Sequence, residues 1–185
     1  MMNLRSLALS TLFLAAILPI DAAHGQAEAF PARPIRVIVP FPPGGSVDTV
    51  ARLVAAKLGE GLGQPVVLDT RSGASGNIGT EMVARAKPDG YTLLINTVPL
   101  TSNPHLFKQL PFDALTDLVP VMLISASPSL LVVHPSLPVR TARELVALAK
   151  SKPGGLNYSS AGVGTNPHIS GELFNFLGQI NIVAI

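Results

Sequence analysis

Short apolar runs alternate with amphipathic stretches along this chain, and the alternation predicts strands and helices in turn. The run Val37–Val39 stops at Pro40, which is typical of a buried strand. Beyond a loop, Leu53, Val54 and Leu58 recur at the spacing of one helix face. This segment therefore predicts a strand, a tight loop and an amphipathic helix.

The same alternation continues to the end of the chain. Further strands are predicted at residues 65–69, 91–96, 119–125, 130–134, 156–160 and 181–185, and helices near residues 80–86, 141–150 and 168–177. Thr141 and Glu144 have the spacing of a capping box, and Asn166 suits an N-cap with Pro167 at the first helical position. The apolar runs do not alternate with polar residues, so the strands are predicted to be buried on both faces of a parallel sheet. The predicted fold class is therefore α/β.

The N-terminal residues have the pattern of a secretory signal peptide. Arg5 precedes the largely apolar stretch Leu7–Ile20, and small residues follow, with cleavage expected after Gly25 or Ala29. A membrane span needs ~20 apolar residues, and Asp21 ends this run too early. Residues 1–25 are therefore predicted to direct export, and the remaining chain is long enough for one domain with a proper core.

Composition narrows the function classes further. Without the signal peptide the chain keeps a small excess of scattered basic residues and few aromatic ones, so nothing predicts nucleic-acid binding. The chain has no cysteine, which excludes disulfides and thiolate metal sites.

Two glycine loops precede helices, and neither has a nucleotide-binding pattern. The loop Pro42–Ser46 places free backbone N–H groups at the positive end of a helix, where an anion can bind. A phosphate-binding loop would need a lysine beside these glycines, but the first lysine is Lys57. In the second loop Gly162–Gly164 could begin a dinucleotide motif, but Pro167 replaces its third glycine.

A hydrolase is the alternative from a different class. Ser46 follows a strand in a tight turn, as a nucleophilic serine would, but Asp48 stands where the motif needs glycine. His105, His134 and His168 have neither triad nor metal-ligand spacing. The sequence therefore predicts no catalytic residue and no metal ligand, and two helix-start sites that could grip a carboxylate from both sides favour a solute receptor.

Several segments together resemble one known family. They are RVIVPFPPGGSVDTVAR, GASGNIGTEMVARAKPDGYTLL, SNPHLFKQLPFD and PGGLNYSSAGVGTNPHISGELF. In register from about Pro31 to the last residue, they resemble the substrate-binding proteins of tripartite tricarboxylate transporters, also called Bug receptors. The resemblance implies a two-lobed α/β fold of the periplasmic binding protein type (type II, flytrap). It also implies a non-enzymatic periplasmic receptor without a cofactor, which passes a small carboxylated solute to membrane permease subunits.

The resemblance also implies the ligand-binding residues. In the first lobe they are Pro43, Gly44, Gly45, Ser46, Asp48, Asn77, Thr97 and Asn103, and in the second lobe they are Ser160, Gly162, Gly164, Thr165 and His168. For Asn77, Asn103 and His168 a capping or loop-bracing role is an equal alternative.

The domain boundaries follow from the same resemblance. Residues 30–122 would be the N-terminal part of the first lobe and residues 123–185 an incomplete second lobe, because family members continue further. The chain is therefore expected to be a truncated copy, with a non-functional remnant as a further alternative.

Overall fold

The computed structural model describes residues 29–185. The predicted signal peptide, residues 1–25, lies outside the described residues. The chain divides into the units 1–30 and 31–185, and the second unit carries all the described helices and strands. No helix in the described part of the chain is long and apolar enough to cross a membrane.

A three-stranded parallel sheet forms the main core. Its strands are β1 (Ile35–Val39), β2 (Val66–Thr70) and β3 (Thr92–Leu94), in the order β2-β1-β3. Val37 lies opposite Leu68 on one side and Leu93 on the other. The sheet is parallel as predicted, and its central strand β1 is almost entirely buried. The predicted burial on both faces does not extend to β2 and β3, which are half-buried, with Val67 52% exposed.

Five α-helices and a second, smaller sheet complete the described architecture. The helices are α1 (Ser46–Leu62), α2 (Asn77–Ala84), α3 (Pro99–Leu106), α4 (Ala142–Ser151) and α5 (Asn166–Gly178), and a 3₁₀ turn at Ala74–Gly76 precedes α2. The second sheet pairs β4 (Asn157–Tyr158) with β5 (Val183–Ala184) in parallel. In each sheet one strand is followed by a loop that leads to a helix. Strand β1 leads to α1, and β4 leads to α5.

Helix α1 turns its small residues inward. Ala51 and Ala55 are buried, whereas Leu53 is 66% exposed. Leu53 was predicted to lie on the apolar face of this helix, but the packed face contains the small residues Ala51 and Ala55 instead. Small side chains let the helix lie close to the strands, and this contact decides which face is buried.

The segment between α3 and α4 contradicts two predicted strands. Residues 119–125 and 130–134 make no strand pairs, and Val121 and Leu130 are more than 80% exposed. A strand is stabilised by hydrogen bonds to a neighbour, and no neighbouring strand lies beside this segment within residues 29–185.

The N-caps predicted for α4 and α5 are correct to within one position, whereas α2 begins at Asn77 and not near residue 80. Thr141 caps α4, since its Oγ1 accepts a hydrogen bond from Glu144 N at 3.2 Å. The Glu144 carboxylate reaches back to the N–H of Arg140 at 2.6 Å, one residue before the cap. In α5 the N-cap position belongs to Thr165, not Asn166, because Asn166 already has helical geometry.

Candidate ligand-binding site

The carboxyl ends of β1 and β3 define the first half of the site. From β1 the chain continues to β2, which pairs with one edge of β1, whereas β3 pairs with the other edge of β1. Loops that follow neighbouring strands in this order diverge and leave a crevice between them, where ligands of α/β proteins bind. The β1–α1 loop therefore lies at the place where a binding site is expected.

The β1–α1 loop presents backbone N–H groups at the start of α1. Gly44 has a φ of 83°, a left-handed conformation that favours glycine, and Gly45 occupies the N-cap position without a side-chain cap. The N–H groups of Gly45, Ser46 and Val47 donate no hydrogen bond to any described residue. Pro43 through Ser46 are exposed, so this end of the helix is open to an anion.

Asp48 closes this loop from inside. Only 4% of its surface is exposed, and its Oδ2 accepts hydrogen bonds from Gly44 N and Arg52 Nε, both at 2.9 Å. The hydrogen bond from Arg52, and then the one from Gly44, hold the pKa of the Asp48 carboxyl below its usual range. Its Oδ1 is buried and accepts no hydrogen bond from the described residues. Asp48 therefore fixes the shape of the loop, and its charge is compensated by Arg52.

A buried pair of asparagines supports the neighbouring loop. Asn103 Nδ2 in α3 donates to Asn77 Oδ1 at 2.7 Å and to the carbonyl of Ser75 at 3.1 Å. Both asparagines are buried. These contacts are the loop-bracing role that the sequence left open for Asn77 and Asn103. Thr97, in contrast, is exposed beside the crevice.

Two further polar residues line this edge and were not predicted. Asn96 Nδ2 donates to Thr80 Oγ1 at 2.9 Å, and Thr80 Oγ1 donates to the carbonyl of Gly76 at 2.8 Å. Asn96 Oδ1 accepts from the N–H of Thr97 at 2.7 Å. The available signal for Asn96 was its position at the end of the predicted strand 91–96, because residues at the carboxyl ends of parallel strands border the crevice.

The second glycine loop contains the other predicted residues. Gly162 N donates to Ser160 Oγ, and Gly164 N donates to His168 Nδ1, both at 3.4 Å. Thr165 Oγ1 donates to the carbonyl of Gly162 at 2.6 Å, so this hydroxyl closes the loop and does not cap the helix. His168 is half-buried in the first turn of α5.

The second loop lies against α3, which brings the two groups of predicted residues together. Ser102 Oγ donates to the carbonyl of Gly164 at 2.7 Å, across 62 positions of sequence. A side chain added at Gly162 would meet Ser75 Oγ at 3.5 Å. Asn103 and Gly164 therefore meet directly, whereas Pro43, Ser46 and Thr97 form no hydrogen bond with the second loop in the described structure.

The chemistry of the assembled residues suits an anion. The start of α1 offers the open N–H groups of Gly45, Ser46 and Val47. In the second loop the N–H groups of Gly162 and Gly164 and the hydroxyl of Thr165 donate within the loop. The positive ends of both helices favour negative charge. Within residues 29–185 no cluster of three metal-ligating side chains occurs. Each glycine loop lies at the carboxyl end of a parallel strand, and the second loop is held against α3 by the bond from Ser102.

Comparison with known proteins identifies the family. Residues 50–185 match the model of the tripartite tricarboxylate transporter family receptor, TctC, and the chain belongs to this family. It is 43% identical to the protein BugT of Bordetella pertussis over 83% of this chain and 48% of BugT. It is 40% identical to a protein of Pseudomonas sp., over 85% of this chain and 47% of that protein. The chain thus spans about half the length of the curated relatives it matches.

Solved structures agree with the fold. A structure of R. palustris Rpa4515 with adipate matches with a TM-score of 0.79 and 39% identity, over 84% of this chain and 52% of that one. MatC from Rhodopseudomonas palustris with bound malate matches with a TM-score of 0.77 and 34% identity, over 84% and 53%. The periplasmic binding protein BugD matches with a TM-score of 0.71 and 31% identity, over 84% and 52%. The fold class is therefore that of the two-lobed periplasmic binding proteins.

Proposed function

We propose that this chain is an exported, non-enzymatic receptor segment that holds a small dicarboxylate between its two glycine loops. The observation that carries the proposal is the hydrogen bond between Ser102 Oγ and the carbonyl of Gly164, because it holds the second loop against α3, whose Asn103 supports the first half of the site. The similar structures with adipate and malate support a dicarboxylate as the solute.

The proposed contacts divide between the two loops. One carboxylate would accept hydrogen bonds from the open start of α1, where Pro43, Gly44, Gly45 and Ser46 form the loop and Asp48 braces it. The other would meet the start of α5, lined by Ser160, Gly162, Gly164, Thr165 and His168. Thr97 would border the crevice, and Asn77 and Asn103 would support it.

The cellular setting is part of the same proposal. Residues 1–25 would direct export to the periplasm, where residues 30–122 and 123–185 would belong to the first and second lobes. The loaded receptor would deliver its solute to the permease subunits of a tripartite tricarboxylate transporter. Family membership and the periplasmic binding protein fold support this setting.

A proline substitution tests the proposed anion contact at α1. Ser46 is the first residue of the helix, and Gly45 before it is extended, with φ −77° and ψ 173°. Proline suits the first helical position and an extended preceding residue, so Ser46→Pro removes one open N–H group and keeps the helix. We expect Ser46→Pro to weaken adipate or malate binding by about tenfold or more in calorimetry, because hydrogen bonds to charged groups are strong.

Ser46→Ala is the matched control, because it removes the hydroxyl and keeps the N–H group. It should bind the dicarboxylate more tightly than Ser46→Pro does. Equal affinities in the native chain and in Ser46→Pro would contradict the proposed contact. Ester hydrolysis that Ser46→Ala abolishes would favour the hydrolase alternative.

A further inference from the structure

We propose that Ser102 and Asn103 of α3 are positioning residues that set how closely the second glycine loop approaches the first half of the site, with Gly164 as their counterpart. The inference rests on the proposed function, since it concerns the closure of the same two loops around a dicarboxylate. It adds Ser102, which is not among the residues that the sequence predicted. It also gives Asn103 an effect on the second loop besides its hydrogen bonds to Asn77 and Ser75.

Ser102 provides a hydrogen bond that can be exchanged. Its Oγ lies 2.7 Å from the carbonyl oxygen of Gly164 and 3.2 Å from that of Val98, one helical turn earlier. A hydroxyl has one hydrogen, so it donates to one carbonyl at a time. When the loop moves away, the hydroxyl can return to Val98, as serine commonly does within helices. Release of the loop therefore leaves no donor unpaired, which makes the contact reversible.

Asn103 opposes the same contact. Its Nδ2 is held by Asn77 and Ser75, so its Oδ1 is fixed against Gly164, where it is buried and accepts no hydrogen bond from the described residues. A Cβ at Gly164 would overlap this oxygen and would lie 3.3 Å from Ser102 Oγ. Movement of the loop would expose Oδ1 to water and satisfy it, and an unsatisfied buried acceptor is unfavourable. Asn103 thus favours the open position.

Ser102 and Asn103 therefore have opposite effects on the position of the loop at Gly164. Ser102 stabilises the closed loop with a bond that it can replace, and Asn103 makes that closed position costly. An equilibrium of this kind shifts when a ligand binds one state better than the other. A dicarboxylate that contacts both helix starts would bind the closed state better, so its binding would draw the loop inward.

The closure can be measured by a distance between two spin labels. The native chain has no cysteine, so Lys57→Cys in α1 and Leu177→Cys in α5 provide unique attachment points. Both side chains are exposed, and neither forms a hydrogen bond with Ser102, Asn103 or Gly164. Pulsed electron–electron double resonance on this labelled chain reports the separation of α1 and α5 with and without adipate.

Ser102→Ala is the decisive variant. Relative to the labelled native chain, we expect a longer mean distance and adipate affinity reduced about two- to tenfold, the range of one net hydrogen bond. Ser102→Thr keeps the hydroxyl and should restore both values. Thr101→Ala is the matched control, because Thr101 Oγ1 also donates to the carbonyl of Val98, at 3.0 Å, but is exposed and forms no hydrogen bond with Gly164.

Gly164→Ala tests the other side of the contact. The added methyl group cannot fit against Asn103, and the φ of 82° at Gly164 disfavours alanine, so the distance should increase more than in Ser102→Ala. Circular dichroism verifies that this variant is folded, and if it is not, the Ser102 series decides alone. An unchanged distance in Ser102→Ala would overturn the proposal. If the native chain binds neither adipate nor malate while the distances respond as expected, the proposed function fails and the positioning role stands.

Discussion

The two glycine loops have the same design and different supports. The first loop is braced from within by Asp48, whose Oδ2 accepts hydrogen bonds at 2.9 Å from Gly44 N and Arg52 Nε, and it follows a five-residue central strand. The second loop follows a two-residue strand, and its backbone N–H groups at Gly162 and Gly164 make internal hydrogen bonds of 3.4 Å. Its shortest hydrogen bonds are one of 2.6 Å within the loop, from Thr165 Oγ1 to the carbonyl of Gly162, and one of 2.7 Å from Ser102 in another element. Both loops are therefore braced from within, and the second loop is also held by a hydrogen bond from a neighbouring element.

The largest expected difference is in how much the two sheets that precede the loops contribute to the free energy of unfolding. Ile38 is fully buried in β1, so Ile38→Ala should lower the free energy of unfolding by about 2–5 kcal/mol in a denaturant titration. Val183 in β5 is 42% exposed, and Val183→Ala should cost less than about 1 kcal/mol. Ile38→Val, expected to cost about 0.5–1.5 kcal/mol, keeps the test possible if the alanine variant does not fold. Equal losses of unfolding free energy in Ile38→Ala and Val183→Ala would contradict the expectation that the first loop follows the more stable sheet.

Loss of the internal brace should affect the first loop strongly. Asp48→Asn removes the charge that holds Gly44 and Arg52, so we expect a lower melting temperature and weaker dicarboxylate binding at neutral pH. Because the pKa of Asp48 is lowered in the folded chain, its contribution is present above the ordinary value of 3.8 and is lost as pH falls through the folded value.

The pH profile distinguishes this brace from general acid sensitivity. Below about pH 4 the native chain should lose more stability than Asp48→Asn, and thermal melts between pH 2 and pH 7 measure the difference. Asp69 has a lowered pKa too, chiefly through the hydrogen bond from Arg36, so Asp69→Asn is the matched variant outside the loop. Only Asp48→Asn should also weaken solute binding, and a similar weakening in both variants would contradict a local brace.

A smaller effect on stability is expected at Tyr158, in the strand β4 that precedes the second loop. Its hydroxyl donates to Glu172 Oε1 at 2.8 Å, and burial together with this acceptor raises the pKa of Tyr158 to about 12. The unfolded chain releases this proton near pH 10, so stability should fall as pH rises from about 10 to 12. Tyr158→Phe should cost about 1 kcal/mol at pH 7 and abolish that alkaline loss. The same alkaline loss in the phenylalanine variant would assign it to other groups.

The parts of the fold that were predictable are those set by neighbouring residues. The strand, loop and helix from Ile35 to Leu62 follow from apolar runs and glycines that lie within a few positions of each other. The exposure of Leu53 and the unpaired segment 119–134 were not predictable, because burial and strand pairing depend on distant partners. Local patterns report what a segment can form, and the tertiary environment decides what it does form.

The candidate site shows the same limit. The glycine loops were recognisable from their residues, whereas the bond between Ser102 and Gly164 joins positions 62 residues apart. The pairing of Asn77 with Asn103 likewise joins two elements, so the sequence alone could not choose between a ligand contact and a brace. Both contacts depend on how the chain packs, which no single motif records.

The smallest expected effect decides which support the second loop uses. His168 Nδ1 accepts the long hydrogen bond from Gly164 N, so His168→Ala should lower the free energy of unfolding by only about 0.5 kcal/mol. His105→Ala, an exposed change on α3, is the control for the loss of an imidazole ring. A loss well above 1 kcal/mol for His168→Ala alone would mean that His168 is itself a main brace of the second loop. A small loss leaves the bonds from Ser102 and Thr165 as the main supports of the second loop, because the loop then keeps its position without its histidine.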